Sequence, residues 1–327
     1  MKYRTLGKTG FNISEVSLGT WQLGGKWGES FSEKTAFEIL ERGFDQGVNF
    51  IDTADVYNAG MSEQVIGRFI KRKKDRIYVA TKSGRRLTPH NAAGYSVTNI
   101  RDFIEDSLKN MDVETIDLLQ LHCPPTDVYY RPELFFALDR MVEEGKLRHY
   151  GVSVERIEEA LKAIEYSGVS TVQIIFNMFR QRPAQVFFEQ AAKRNIGVIV
   201  RVPLASGLLT GKLSKDSTFG KEDHRFFNRD GQAFDKGETF SGVDYERGLA
   251  AVEELKSLFG TDKIAPFALR WILMFGAVSC IIPGASTPQQ VDANAAVSEM
   301  PELTPQQMEA VEGVYEKYIK DPVHYCW

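Results

Sequence analysis

Residues 116–122 read IDLLQLH, an almost unbroken apolar run that closes on a histidine. A strand with one wet face alternates apolar and polar side chains. A run like this one fits a strand buried on both faces, as in a parallel sheet. The same pattern recurs in both directions along the chain, at EVSLGT (15–20), NFIDTA (49–54), IYVATK (77–82), LRHYGVS (147–153), TVQIIFN (171–177), GVIVRVP (197–203) and AVSCIIPG (277–284). Helical periodicity fills the intervals, at 33–46, 62–71, 96–110, 132–144, 155–166, 184–194, 245–259 and 288–297. Alternating strands and helices imply an α/β fold, and eight repeats are the number that closes a (β/α)8 TIM barrel of about 250 residues. The 327 residues leave room for additions. MKYRTLGKTGFNIS (1–14) reads as an N-terminal hairpin plugging the barrel bottom, and 212–243, polar and aperiodic, as a long loop after the seventh strand. Extra helices are expected at 265–275 and 305–319, the second with Thr304 as N-cap and Pro305 at its first position. No linker divides the chain, so a single domain over 1–327 is expected.

Composition narrows the function. Hydrophobic residues make up 43% and charged residues 26%, enough for a large core and against disorder. A net charge of −4 gives no reason to expect nucleic acid or an anionic membrane as partner. The basic run KRKKDR (71–76) reads as positive charge at a helix C-terminus, where the macrodipole favours it. No apolar run reaches membrane-spanning length, and MKYRTLGKTG has no signal-peptide core. Cys123, Cys280 and Cys326 are odd in number and far apart. That pattern fits a reducing, cytoplasmic setting rather than a disulfide framework. No G-x-G-x-x-G occurs, GLLTGKL lacks P-loop spacing, and neither H-E-x-x-H nor C-x-x-C is present, so no metal site is expected.

In a barrel the C-terminal ends of the strands face the active site. Four of those ends form a chemical unit. Asp52, Lys82 and His122 end neighbouring strands, and Tyr57 lies five residues beyond Asp52. Each alone has an ordinary reading: a turn cap, a strand-end charge, a core histidine, a packed surface tyrosine. All four together at consecutive strand ends are improbable by chance. A buried aspartate is costly unless paired, and Lys82 supplies the pair. The same cation is expected to lower the Tyr57 phenol pKa, making Tyr57 a proton donor near neutral pH, with His122 donating a hydrogen bond to the same oxygen. Such a set suits a carbonyl on whose oxygen negative charge grows as it accepts a hydride. A metal-dependent barrel enzyme fits poorly, because Lys82 would oppose a cation there.

These residues and phrases resemble the aldo-keto reductase superfamily, nearly end to end, from LGKTGFNISEVSLGTWQLGG to IPGASTPQQVDANAAV. FIDTADVY, VATK and LLQLH are the specific signals, and the segment order is similar to the group that includes potassium-channel β-subunits and bacterial stress reductases. The resemblance implies a (β/α)8 barrel, the tetrad Asp52, Tyr57, Lys82 and His122 as catalytic residues, and NADP(H), with NAD(H) the alternative. It implies cofactor contacts from Gly19, Thr20, Trp21 and Asp52, with Ser153 and Gln173 on the nicotinamide carboxamide. Arg201 stands where many relatives place an aromatic ring against the nicotinamide, and Val154 where many place Asn. Pro203, Leu204, Ser206, Gly207, Leu208 and Lys212 would wrap the pyrophosphate. Gly284, Ser286, Gln290 and Asn294 would meet the adenosine 2′-phosphate at a helix N-terminus, with Ser286 or Thr287 as N-cap. Many NADP-specific relatives carry Lys and Arg in that last segment; here Gly284 and Gln290 stand there.

The expected function is reduction of aldehydes or ketones, or oxidation of the matching alcohols or sugars. The alternative is a cofactor-binding sensory or regulatory subunit with little turnover, against which His122 argues mildly, since channel β-subunits carry Asn there. Pocket walls are expected from Trp21, Trp27, Tyr57, Tyr129, Phe179 and the long loops. Neither substrate, oligomeric state nor the role of the HYCW tail is readable from the sequence.

Overall fold

The computed structural model describes residues 1–25 and 29–327; Trp27 lies outside the described residues. β1 (Tyr3–Thr5) and β2 (Asn12–Ser14) pair antiparallel as the expected hairpin. Its turn needs Gly7. The residue sits at φ 50°, and a Cβ there would lie 2.1 Å from the Gly197 backbone nitrogen. The hairpin therefore presses against the start of a sheet strand, at the end of the sheet opposite the tetrad.

Eight parallel strands follow in sequence order: β3 (Leu18–Gly19), β4 (Phe50–Asp52), β5 (Tyr78–Ser83), β6 (Ile116–His122), β7 (Leu147–Ser153), β8 (Val169–Ile175), β9 (Gly197–Arg201) and β10 (Val278–Ile281). The sheet curls until its edges touch, but no continuous ladder closes it. β3 and β10 belong to the two edges and meet through isolated parallel bridges, Val16–Ile281 and Gly19–Gly284. Ser17 N–H donates to the Ile281 carbonyl (2.9 Å) and Ile281 N–H to the Glu15 carbonyl (2.9 Å). This corrects the expectation of a regular strand over 15–20. Its first residues are claimed by the hairpin: Glu15 N–H donates to the Lys2 carbonyl, and the Glu15 carboxylate takes Arg4. Gly19 makes the close seam possible, since a Cβ there would lie 2.6 Å from the Ile282 carbonyl oxygen.

Leu6, Ile13, Phe50, Ala80, Leu118, Ile199, Cys280 and Ile282 form one buried cluster spanning hairpin and strands. The larger core lies between sheet and helices. The helices are α1 (Glu33–Asp45), α2 (Met61–Ile70), α3 (Val97–Met111), α4 (Pro132–Glu143), α5 (Ile157–Ala163), α6 (Arg182–Val186), α7 (Phe188–Lys193), α8 (His224–Phe227), α9 (Tyr245–Phe259), α10 (Ala265–Leu273), α11 (Pro288–Ala295), α12 (Pro305–Tyr318) and α13 (Lys320–Val323). Side-chain caps set several starts: Ser32, Ser96, Asp244 and Thr304 each accept a bond from the first-turn backbone. The helix expected at 184–194 divides into α6 and α7, and Phe187 and Phe188 on either side of the junction are both buried. The basic run after α2 is spent locally. Lys71 pairs with Asp112, Lys73 with Glu41 and Arg76 with Asp117, while Arg72 lies 4.6 Å over the Phe37 ring. Among the described residues no helix is long and apolar enough to cross a membrane.

Candidate functional site

The parallel register carries Asp52, Lys82, His122 and Ser153 to the same end of the sheet: Asp52 pairs with Ala80, Lys82 with Gln120, and His122 with Ser153. Asp52 is 2% exposed and Lys82 1%. Lys82 Nζ donates to Asp52 Oδ1 and to the Thr53 carbonyl (2.8 Å), and stands 3.4 Å from the Tyr57 hydroxyl. The other Asp52 oxygen accepts from Gln173 Nε2 (2.7 Å) and Gln120 Nε2 (3.1 Å). A buried carboxylate with an ammonium and two amides has its charge compensated. Thr20 fixes the same strand end, donating from N–H (3.0 Å) and Oγ1 (2.9 Å) to the Asp52 carbonyl. The Tyr57 ring meets His122 edge-on at 6.1 Å. Tyr57 precedes a left-handed run, Asn58, Ala59 and Gly60, which turns the chain back into α2.

The electrostatics differ from the sequence expectation at Tyr57. Burial pushes its phenol above the usual range; Lys82 pulls it down, but Asp52 adds to the push, and the net direction is upward. Tyr57 is therefore protonated at neutral pH, as a donor requires, without being a strong acid. Burial opposes the Lys82 charge, yet Asp52 and Tyr57 hold its ammonium above the usual lysine range. Burial, helped by Arg85 and Lys82, drives His122 well below its usual range, so the imidazole is neutral.

Other expected contacts fall into distinct places. Gln173 reaches the tetrad itself, with Nε2 donating to Asp52. Ser153 is buried, with Oγ 3.5 Å from Cys123 Sγ. Arg201, at the end of β9, is held by its edge: its Nη2 donates to Glu155 Oε2 (2.8 Å) and to the Val154 carbonyl (3.0 Å). Beyond Pro203 and Leu204, the backbone is left-handed at Ala205, Ser206 and Gly207. Leu208 is buried and Lys212 exposed. The Ser206 hydroxyl is engaged by the long loop: it donates to the Glu238 carbonyl (3.0 Å) and accepts from Phe240 N–H (3.1 Å). At the last segment Thr287, not Ser286, caps α11, accepting from Gln290 N–H at 3.3 Å. Gln290 turns its carbonyl oxygen back to Ser286 N–H (2.7 Å), and Asn294 Nδ2 lies 3.4 Å from the Gly284 carbonyl.

The long loop matters more than the sequence suggested. It carries α8, whose His224 ring lies 5.2 Å from the Trp21 ring, so it crosses from the β9 end to the β3 end. It also carries Glu238, which pairs with Arg85 beyond β5 and approaches Arg201. Arg85, Glu155 and Glu238 were missed because no local motif marks them. Trp327 of the HYCW tail packs on this loop: its Nε1 donates to Asp235 Oδ1 (2.8 Å), and Arg180 lies 4.5 Å over its ring. Of the expected pocket walls, Trp21 is 36% exposed, but Tyr129 and Phe179 are fully buried core residues. Cys123, Glu155 and Glu238 place ligand-type atoms within 4.8 Å of one another. Arg85 and Arg201 already pair with those carboxylates, so a metal cation would meet two guanidiniums.

The sequence and the fold have counterparts. Residues 15–316 match the aldo/keto reductase family model. The chain is 30% identical to aldo-keto reductase YhdN of Bacillus subtilis, covering 99% of this chain and 96% of the relative. It is also 30% identical to a probable voltage-gated potassium channel subunit beta of Arabidopsis thaliana, covering 99% of this chain and 100% of the relative. The solved glycerol dehydrogenase AKR11B4 from Gluconobacter oxydans aligns with a TM-score of 0.79 at 30% identity, over 98% of this chain and 97% of that one. The chain belongs to the aldo/keto reductase family of oxidoreductases.

Proposed function

We propose that this chain is a single-domain (β/α)8 barrel enzyme that reduces aldehydes or ketones with NADP(H), or oxidises the matching alcohols, in a reducing cytoplasmic setting. The observation that carries the reading is the meeting of Lys82 Nζ with Asp52 and the Tyr57 hydroxyl, beside the neutral His122. The glycerol dehydrogenase among the solved relatives supports an alcohol/carbonyl pair as substrate.

The residues present fit a nicotinamide dinucleotide. The turn at Ala205–Gly207 leads to the exposed Lys212, whose ammonium suits a pyrophosphate. The capped N-terminus of α11, with Gln290, suits a phosphate monoester. When bound, the cofactor supplies or accepts the hydride. The protein does the rest. Tyr57 gives its hydroxyl proton to the carbonyl oxygen as negative charge develops there. Lys82 stabilises the phenolate left behind, and Asp52 keeps Lys82 charged and in place. His122, neutral, donates a hydrogen bond that orients the carbonyl. A phenol held above its usual pKa gives up a proton only to a strongly basic developing alkoxide, which keeps it loaded for reduction at neutral pH.

The cofactor choice rests on the last segment. NADP(H) binds there more tightly than NAD(H), but moderately, because no arginine in that segment pairs bidentately with a phosphate. Gln290→Arg should strengthen NADP(H) binding selectively, and Ser286→Asp should weaken it by repulsion. Fluorescence titration of both cofactors against the three proteins tests this; equal affinities throughout would remove the segment from 2′-phosphate reading. The potassium-channel relative supports a second reading, a sensory subunit with little turnover. Following NADPH absorbance with a panel of aldehydes decides between them, and no turnover on any substrate would favour the sensor.

A further inference from the structure

A second set of charges, buried or half-buried, adjoins His122. Arg85, Arg180 and Arg201 bring three guanidiniums to it from the ends of three strands. Glu155, after β7, and Glu238, on the long loop, bring two carboxyls. Arg85 Nη2 donates to Glu155 Oε1 (3.0 Å) and pairs with Glu238; Arg201 Nη2 takes Glu155 Oε2 (2.8 Å), and its Nη1 lies 3.6 Å from Glu238 Oε1. Arg180 donates to the Glu155 backbone carbonyl. The donors outnumber their acceptors. Arg201 Nε and Arg180 Nη1 are buried without a hydrogen-bond partner, in side chains of residues only 8% and 4% exposed. Asp235 adds a third carboxylate near Arg180, so what stays unsatisfied is the pair of orphan donors. Burial pushes Glu155 up, against the pull of Arg201 and with Glu238 adding to the push. A buried donor left without a partner is costly, and guanidinium pairs best with a planar oxyacid.

The place is adjacent to the reacting groups. Arg201 Nη2 lies 3.5 Å from Cys123 Sγ, and Cys123 directly follows His122. Glu238 differs from the other members in being carried by the loop rather than a strand end. Its segment is anchored independently, through the Glu238 carbonyl and Phe240 N–H on Ser206 Oγ. The side chain can therefore leave the arginines while the loop stays in place.

Resting on the reductase reading above, we propose that Arg85, Arg180 and Arg201 form a subsite for the carboxylate of a carbonyl substrate, and that Glu238 is an internal carboxylate that this group displaces. The substrate class is then an aldehyde or ketone carrying a carboxylate, rather than a neutral aldehyde. The discriminating experiment compares succinic semialdehyde and carboxybenzaldehyde, each with its neutral methyl ester, in the wild type, Glu238→Gln and Arg85→Gln. The acids should exceed the esters in kcat/KM by about tenfold or more, the value of one good charge pair. Glu238→Gln should widen that ratio by removing the competing carboxylate. Arg85→Gln should narrow it. Esters and acids turned over equally in the wild type, with no change in Glu238→Gln, would overturn the subsite while leaving the reductase reading intact. If neither acids nor esters turn over, the reductase reading falls, and the subsite is decided by binding alone. Succinate should then raise the Tm of the wild type more than succinamide does, and more again in Glu238→Gln; equal shifts would overturn it.

Discussion

Two buried charge clusters flank His122, and they are built in different ways. Asp52 and Lys82 sit on neighbouring parallel strands, and their meeting is fixed by the register that pairs Asp52 with Ala80 and Lys82 with Gln120. Arg85, Glu155 and Glu238 come from segments beyond strand ends and from the long loop, and Arg85 reaches its two partners across 70 and 153 residues. The first cluster is compensated, with an ammonium and two amides on one carboxylate. The second retains orphan donors. The rigid part of the fold thus holds the group that the chemistry needs in one protonation state. The loops hold the charges that a ligand can rearrange.

The sharpest way to break the comparison is at the first cluster. Tyr57→Phe should cost about 10²–10⁴-fold in turnover, the range for losing a general acid, with cofactor titration almost unchanged. Retention of most carbonyl-reductase activity would remove Tyr57 from the mechanism.

Lys82→Met should act on both activity and fold. Removing one partner of a buried pair costs about 3–5 kcal/mol, and Gln120 and Gln173 on the other Asp52 oxygen place this variant at the low end. Without Lys82 the one strong downward pull on the Tyr57 phenol is gone, so its limb of the pH–rate profile should move alkaline. Urea unfolding and the pH profile check the two parts separately; an unmoved limb would contradict the coupling.

The loop-borne cluster should respond to a distant change that leaves the tetrad alone. Trp327 is 7% exposed and fills the space against Gly237 and Gly242. Trp327→Ala should raise protease cleavage within 212–243 several-fold, while global Tm changes little, because opening is local. A uniform loss of Tm with no preferential cleavage would mean that both clusters share one cooperative unit.

A pH-dependent effect is expected at Asp55, between Asp52 and Tyr57. Both its carboxylate oxygens are buried without partners, and burial, then Glu63, raises its pKa to about 7. An acid whose folded pKa lies above its unfolded value keeps a proton that the unfolded chain loses, so stability falls as pH rises between about 4 and 7. Asp55→Asn should be nearly neutral near pH 4, and its stabilising effect should grow up to about pH 7 and then level off. Melting curves at several pH values measure the difference, and a pH-independent one would show that Asp55 is paired.

The sequence by itself determined the strand count, order and parallel direction, the hairpin, the cap at Thr304, and the placing of Asp52, Lys82 and His122 at one end of the sheet. These follow from local periodicity and from the rule that parallel strands align their C-terminal ends, so each is legible within a few residues. Tyr57 was legible as a neighbour, but the direction of its pKa was not, because burial is a property of the whole environment and outweighed the single cation that the sequence showed. Only the tertiary structure decided that the edge strands meet by bridges rather than a full ladder. It alone decided that Gln173 turns to Asp52, that Tyr129 and Phe179 belong to the core, and that Trp327 rests on the long loop. The same holds for the joining of Arg85, Glu155 and Glu238. Contacts between loops depend on where distant segments end in space, and no pattern in the residues flanking either partner records that position.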